Sequence, residues 1–520
     1  MIWHIFKKDW RLLWRLVVGV GLVHLALAAA LFKDGRFGGN RTLESTLNML
    51  LLIGMLGTGF LIAAVVHQDA IPGVRQDWLV RPVKRRDLLL AKILSVLIMV
   101  QAPILAADFL QALANGFPLG ESLVTAVSRS GYIFLGFTLP LVGLASLTKN
   151  FMEAIVGGVA AFTGFWTFIM LTQRGRPIFV TLGTGIHWVP ESTWLALTLV
   201  GVTAVLTLQY FRRKTMPGRW LMGAVALLCL CTAFIPWQAA FAVQQERAPR
   251  PGSSSAVVMV FESGQGKLRT TAGINSDALN SRSRIREGDV LAYLPLRIAG
   301  LPDDTVLRAD HAEVRLIVPR GRTKGVEPVG NLEVRKEGHG ESERRIRQGF
   351  LVPSDIYALI NDQPVGLEID YSLTLFSLAA SHALPALNGD QRMPDMGWCA
   401  TKVNGAGTSV QLRCLQAGKL PPCSTLFLEH TLSGRRNPAI SSCSPDYSPY
   451  LRRSLPYAMG HFGRNLPFRD PTGLAHYPVD GSQLAESQVV VRTYQPVDHF
   501  TRRLVISDIR LKDWESGLGF

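Results

Sequence analysis

Two periodicities divide this chain. Up to about residue 245, apolar runs of near membrane-crossing length alternate with short polar segments. Beyond that point the apolar positions recur every second residue. The first pattern predicts seven spans, at roughly 16–32, 47–67, 88–111, 131–148, 152–172, 193–211 and 220–243. The segment Thr148-Lys149-Asn150-Phe151 predicts a tight turn between the fourth and fifth, because a lysine is costly near the centre of a bilayer. Ahead of the first span, Trp3, Phe6, Trp10, Leu13 and Trp14 recur at helical spacing with Lys7, Lys8, Arg11 and Arg15 on other faces. This predicts an amphipathic interfacial helix over residues 1–15. Leu25–Ala30 has the look of a cleavage site, but the long aromatic lead and the spans that follow predict that it is retained.

The second pattern is clearest at Leu367–Leu375, where Leu367, Ile369, Tyr371, Leu373 and Leu375 alternate with four polar residues, as a half-buried strand requires. Strands are also predicted at Ala256–Phe261, Val314–Val318, Gln488–Thr493 and Arg503–Leu511. The expected layout is a helical membrane domain at 16–245, a Pro/Gly/Ser-rich linker at 246–255, and a β-rich domain at 256–520 built as one β-sandwich or two small ones.

Composition agrees: 48% of the 520 residues are hydrophobic and the mean hydropathy is +0.21. The net charge of +15 divides as +11 over residues 1–245 and +4 beyond. Most of the excess flanks membrane spans, where it sets orientation, so no nucleic-acid partner is expected. With the N-terminus inside, the inner segments hold fourteen cations and the short outer loops six, Arg129 being counted among the outer ones. Seven spans then put the β-rich domain outside, in the periplasm or at the cell surface of a bacterium, with the spans in its inner membrane.

Between the second and third spans lies a basic, Pro-punctuated loop. Asp69, Gly73, Arg75, Leu79, Pro82, Arg85, Leu88 and Lys92 give the pattern acidic–Gly–basic–Leu–x–x–Pro–x–x–Arg–x–x–Leu–x–x–x–Lys. With the interfacial helix and six spans whose two ends lie inside, this resembles the permease subunit of type-2 ATP-binding-cassette exporters over residues 1–215. The resemblance implies a coupling helix in this loop that docks on a separate ATPase chain. The residues that carry it here would be Asp69, Gly73, Arg75, Asp77, Arg81, Pro82, Lys84, Arg85 and Arg86. It also implies a homodimer, or a heterodimer with a second permease, embedded in lipid. The seventh span and the large domain after it depart from the basic family plan.

No ATPase is expected in the chain itself. The nearest fragment to a phosphate-cradling loop, Gly264-Gln-Gly-Lys267, has Phe261 where the first Gly belongs and Leu268 where the hydroxyl belongs. No cofactor, metal site or catalytic motif is expected either: the histidines beyond residue 246 (His311, His339, His382, His430, His461, His476 and His499) are scattered. Four cysteines in that domain suggest two disulfides, because Cys399 and Cys414 flank the turn Asn404–Thr408, and Cys423 and Cys443 flank Ser433-Gly434. Cysteine spacings of 15, 9 and 20 contain no Cys-x-x-Cys. The alternative reading is a membrane-anchored sensor or envelope-binding protein whose outer domain binds a ligand or partner without transport. A tethered enzyme is a third.

Within the spans, His24 is expected to make a structural hydrogen bond, Asp108 and Glu153 to sit in the interface, and Gly157 and Ala161 to allow close helix packing.

Overall fold

The computed structural model describes residues 1–33, 41–68, 84–174, 186, 188–212, 214–263, 289–318, 322–329, 332–336, 343–417, 421–443, 460–469 and 476–515. Among these, five helical stretches are long and apolar enough to cross a bilayer: Ile2–Ala29, Thr46–His67, Arg85–Ala114, Leu119–Leu147 and Trp188–Arg212. Two shorter apolar helices, Phe151–Ala161 and Thr215–Cys231, accompany them. The N-terminal half is therefore that of a membrane protein.

Helix α1 (Ile2–Lys33) is one unbroken helix, so the amphipathic segment and the first span are continuous. Its buried line, Phe6, Leu13, Val17 and Val20, packs into a core with Leu61, Ile62, Val65 and Val66 of α2 (Arg41–His67). Trp3 and Trp14 point outward. Next, α3 (Arg85–Val96) and α4 (Ala102–Ala114) form one span through a π turn at Leu97–Gln101. Likewise α5 (Leu119–Ile133) and α6 (Leu139–Leu147) join through a π turn at Phe134–Thr138. This second span starts at Leu119, not near 131. Residues 119–130 read as too polar for a span because of Glu121, Ser122, Thr125, Arg129 and Ser130, yet each of these is turned onto a partner.

The turn at 148–150 separates α6 from α7 (Phe151–Arg174), as the lysine there predicts. After α8 (Trp188–Arg212) comes the largest departure. The segment expected as a single span at 220–243 is α9 (Thr215–Cys231), a 3-10 turn at Thr232–Phe234, and a separate α10 (Trp237–Glu246). Pro236 stands at the N-cap of α10, where its missing N–H interrupts no helical bond. Among the described residues, the tightest helix approach lies between α8 and α9. A Cβ on Gly201 of α8 would lie 2.3 Å from Val225 of α9, whereas one on Gly157 would lie in ordinary contact with Leu144 of α6 at 3.8 Å. Ala161 is exposed.

The remainder is β-rich. A ten-stranded sheet runs in the order β1-β2-β6-β4-β3-β7-β14-β11-β12, with β5 paired to β3. Its strands are β1 (Val258–Phe261), β2 (Val290–Ala299), β3 (Thr305–Val318), β4 (Arg322–Val329), β5 (Glu333–Lys336), β6 (Glu343–Val352), β7 (Val365–Pro385), β11 (Cys423–His430), β12 (Ile440–Cys443) and β14 (Ser487–Ile509). A four-stranded sheet, β13-β10-β9-β8, comprises β8 (Asp390–Met393), β9 (Gly397–Val403), β10 (Ser409–Gln416) and β13 (Gly460–Pro467). A short helix, α11 (Ser354–Ile360), precedes β7.

One core joins Leu294, Leu296 and Phe350 of β2 and β6 to Leu367, Ile369, Tyr371 and Leu373 of β7. A second joins Val410 and Leu412 of β10 to Leu426, Leu428, Val489 and Val491 of β11 and β14. Strands β7 and β14 contribute to both. The two strands expected at 488–493 and 503–511 are one 23-residue strand whose ladder shifts register at three places, one of them between Pro496 and Asp498. A proline lacks the N–H that a central strand donates, which explains why this point reads as a break in the sequence.

Candidate functional site

Among the described residues, the membrane region and the β domain meet at the α4–α5 tip and at α10, and charged contacts cross the helices at several depths. At the end bearing the loop, Lys84, Arg85 and Arg86 open α3. Asp69, Gly73, Arg75, Asp77, Arg81 and Pro82 lie outside the described residues. Arg85 donates to the Phe211 carbonyl at 2.6 Å, satisfying an end carbonyl of α8 that its own helix leaves open. About two turns further along α3, Lys92 is 3% exposed and donates to Asp9 of α1 at 2.9 Å and to the Val65 carbonyl of α2 at 2.7 Å. One ammonium thus ties three helices at the root of the loop. Close by in the chain, His67 pairs with Thr148 at 3.1 Å. Arg219 of α9 donates to the Leu147 carbonyl and to Glu153, at 2.9 and 3.2 Å. Glu153 is half-exposed.

Deeper in the helices, His24 and Thr58 pair at 3.1 Å, the structural bond expected of this histidine. Gln101 donates to Thr138 and accepts from Ser130. Asp108 departs from expectation. It is 6% exposed and ion-paired with Arg129 of α5, itself 7% exposed. Arg129 therefore belongs inside the helical bundle and not to an outer loop. Each supplies the counter-charge without which the other's burial within an otherwise apolar span would cost far more. Tyr132 donates to Glu191 at the start of α8.

At the far end, the tip between α4 and α5 seats the four-stranded sheet. Gly116 adopts φ +80°, and a Cβ there would lie 3.3 Å from the Trp398 indole nitrogen. Phe117, Ala112, Leu415, Ala417 and Trp398 form a small apolar cluster. Around it, Arg392 donates to Glu121 at 2.8 Å and Thr125 donates to the Ala417 carbonyl at 3.1 Å. The loop root and this seat lie at opposite ends of the 30-residue α3–α4 span, about 45 Å apart along the helix.

The second meeting point is α10. Trp237 packs on His311 with ring centroids 4.3 Å apart, and Phe241 meets His499 edge-on at 6.4 Å. His499, as the Nδ1–H tautomer, donates to Thr374 at 2.8 Å, and Thr374 donates in turn to Asp310. The Gln244 amide nitrogen of α10 lies 3.1 Å from Nδ1 and 3.4 Å from Nε2, and with the Nδ1 proton given to Thr374 it is Nε2 that can accept. Burial pulls His499 down to about 4 and pushes Asp310 up to about 6, against the opposing pull of Thr374 and Arg308 on the latter. The expected linker is pinned here: Asp498 accepts from the Gly252 and Ser254 amides at 3.1 and 3.0 Å and from the Ser254 hydroxyl at 2.6 Å. Sequence reasoning missed this cluster. Asp310 is the unpaired residue of a bulge in β3, and Asp498 and His499 follow a register shift in β14, with His499 opposite Thr374 of β7; a bulge hides a residue from any period-2 pattern.

The four cysteines pair as the turn chemistry suggests. Cys399 and Cys414 face each other across β9 and β10, and Cys423 and Cys443 across β11 and β12, both with sulfurs at bonding distance. Among the described residues there is no cluster of three or more His, Cys, Asp or Glu able to hold a metal. No family model matches the chain, and no curated protein matches it.

Proposed function

We propose that this chain is the membrane-spanning subunit of an exporter of the type-2 ATP-binding-cassette kind, driven through loop 70–87 by a separate ATPase chain. The observation that carries the reading is the root of that loop. Lys92, fixed to Asp9 and to the Val65 carbonyl, makes α1, α2 and α3 respond together to any force on the loop. The loop is basic, as is the helix-end cluster around it, which contains Arg85 and Arg219. Such a face suits the inner leaflet and an acidic docking partner. On this reading α7 and the α9–α10 pair complete seven crossings, and the N-terminus lies in the cytoplasm of a bacterium. The β domain, as two sandwiches sharing β7 and β14, stands in the periplasm, where its two disulfides persist. A second permease copy, or a homologous partner, completes the path through the lipid. The chain itself hydrolyses nothing.

A second reading is favoured by the seat of Trp398 on the α4–α5 tip. Force on the loop would then perform work on an envelope partner of the β domain without a solute crossing.

The test is purification of the full chain in mild detergent, with mass spectrometry of what co-elutes, beside a variant carrying Arg75→Glu, Arg81→Glu, Lys84→Glu and Arg86→Glu. Arg85 stays in place because it holds the end of α8. A P-loop ATPase present with the native chain and lost from the variant is expected. Absence of any ATPase from a folded native sample overturns the exporter reading. Solute movement in ATP-loaded vesicles separates the first reading from the second.

A further inference from the structure

Two neighbouring spans break in the same way. In the first, the Ala102 N–H reaches back five residues to the Leu97 carbonyl, and Pro103 follows. In the second, the Leu139 N–H reaches back five residues to the Phe134 carbonyl, and Pro140 follows. Each proline sits second after its π turn. A proline has no N–H, and its ring collides with the preceding turn of a regular helix. Widening by one residue is how each span continues past it, and such turns are recognised sites of bending.

The two breaks are tied to each other. Gln101, the last residue of one π turn, donates through Nε2 to Thr138, the last residue of the other, at 2.6 Å. Its Oε1 accepts from Ser130 at 3.0 Å. Neighbouring helices approach with little side chain between: a Cβ on Gly21 of α1 would lie 3.6 Å from Pro103, and one on Gly136 would lie 3.0 Å from Trp194 of α8. On the loop side of the breaks, α3 is held by Lys92 and the end of α6 by Arg219. On the other side, Asp108 and Arg129 bind α4 to α5, and their tip carries the β domain through Glu121 and Phe117.

We propose that these paired π-turn–proline breaks form one hinge, latched by the Gln101 amide, on which the α4–α5 hairpin swings and takes the β domain with it. A change of about 20° at the break moves the far end of the 13-residue α4 by about 7 Å. The β domain is also fixed to α10 through Gln244 and to the pinned linker through Asp498, so this displacement turns it about α10. The hinge deepens the exporter reading by giving the loop a route to the β domain. It rests on that reading only for the source of the force.

The experiment needs no ATPase, so its failure is distinct from failure of the exporter reading. In the full chain in lipid nanodiscs, Cys229→Ser and Cys231→Ser remove the free thiols, and Leu90→Cys on α3 and Leu432→Cys on the β11–β12 turn carry spin labels. Distances are measured by pulsed electron resonance. Pro103→Ala with Pro140→Ala should narrow the distance distribution. Gln101→Leu, which releases the latch and keeps both prolines, should broaden it or shift its centre by several ångströms, about the displacement derived above. If the proline variant does not fold, Gln101→Leu decides alone. Distributions unchanged from the native chain in every variant that elutes as a single folded species overturn the hinge.

Discussion

In the helical half, buried charges meet as pairs between helices: Asp9 with Lys92, and Asp108 with Arg129, all under 8% exposed. In the β domain, ion pairs gather on an open face instead, where Arg315 and Arg503 both reach Glu368 and Asp370, with Arg503 58% exposed. The difference follows from the solvent each region faces. A charge among apolar helices must bring its own counter-charge, so each pair fixes a particular helix contact. A charge on a wet sheet face is already solvated, and its partner adds little.

The comparison can be broken most sharply at Lys92. Lys92→Met takes from Asp9 the ammonium at 2.9 Å and leaves the more distant Lys8 at 3.8 Å. A loss of about 4 kcal/mol is expected, largely recovered when Asp9→Leu is added. Thermal melting of the three variants in detergent checks it, and a single variant as stable as the native chain would refute the pairing argument. Next in size, Cys399→Ser with Cys414→Ser opens a 15-residue loop and should destabilise the β domain by about 3 kcal/mol. Melting of the helices, followed separately by circular dichroism, should stay in place.

The pH response sharpens the comparison within the β domain. Asp310, raised to about 6, favours the fold when protonated; its contribution is present below its ordinary 3.8 and is lost as pH rises through about 6. His499, lowered to about 4, favours the fold when neutral; its contribution is present above 6.5 and is lost as pH falls through about 4. The two oppose each other on acidification. Asp310→Asn leaves only the histidine, so between pH 6.5 and 4 its melting temperature should fall more steeply than that of the native chain. Parallel curves would mean that the carboxyl does not titrate in this window. The smallest effect belongs to the open face: Arg503→Ala should leave the melting temperature nearly unchanged, with salt reducing any shift further. A loss as large as that at Lys92 would remove the contrast.

What could be read along the chain was local. The turn at Lys149, the alternation at Leu367–Leu375 and both cysteine pairings depend on residues close in sequence, and the structure has all three. What could not be read depends on distant partners. Arg129 reads as a loop cation until Asp108, 21 residues earlier, is placed beside it. Lys92 fits the loop pattern, but its partner Asp9 is 83 residues away. The α10 cluster assembles Gln244 with a histidine 255 residues on. The broken seventh segment was legible in Pro236, whose effect average hydropathy conceals.

The central position of β14 has a consequence for how the protein is made. This strand, residues 487–509, sits between β7 and β11 and supplies both cores of the β domain. In the chain it follows both β7 and β11, so it is synthesised after them. Until it arrives, β7 and β11 each present an open edge, and neither core can close. Exposed edges of this kind invite pairing with other chains. The β domain is thus exposed during biogenesis in the interval before β14 emerges. Assistance to a chain held partly unfolded at the membrane would matter most in that interval.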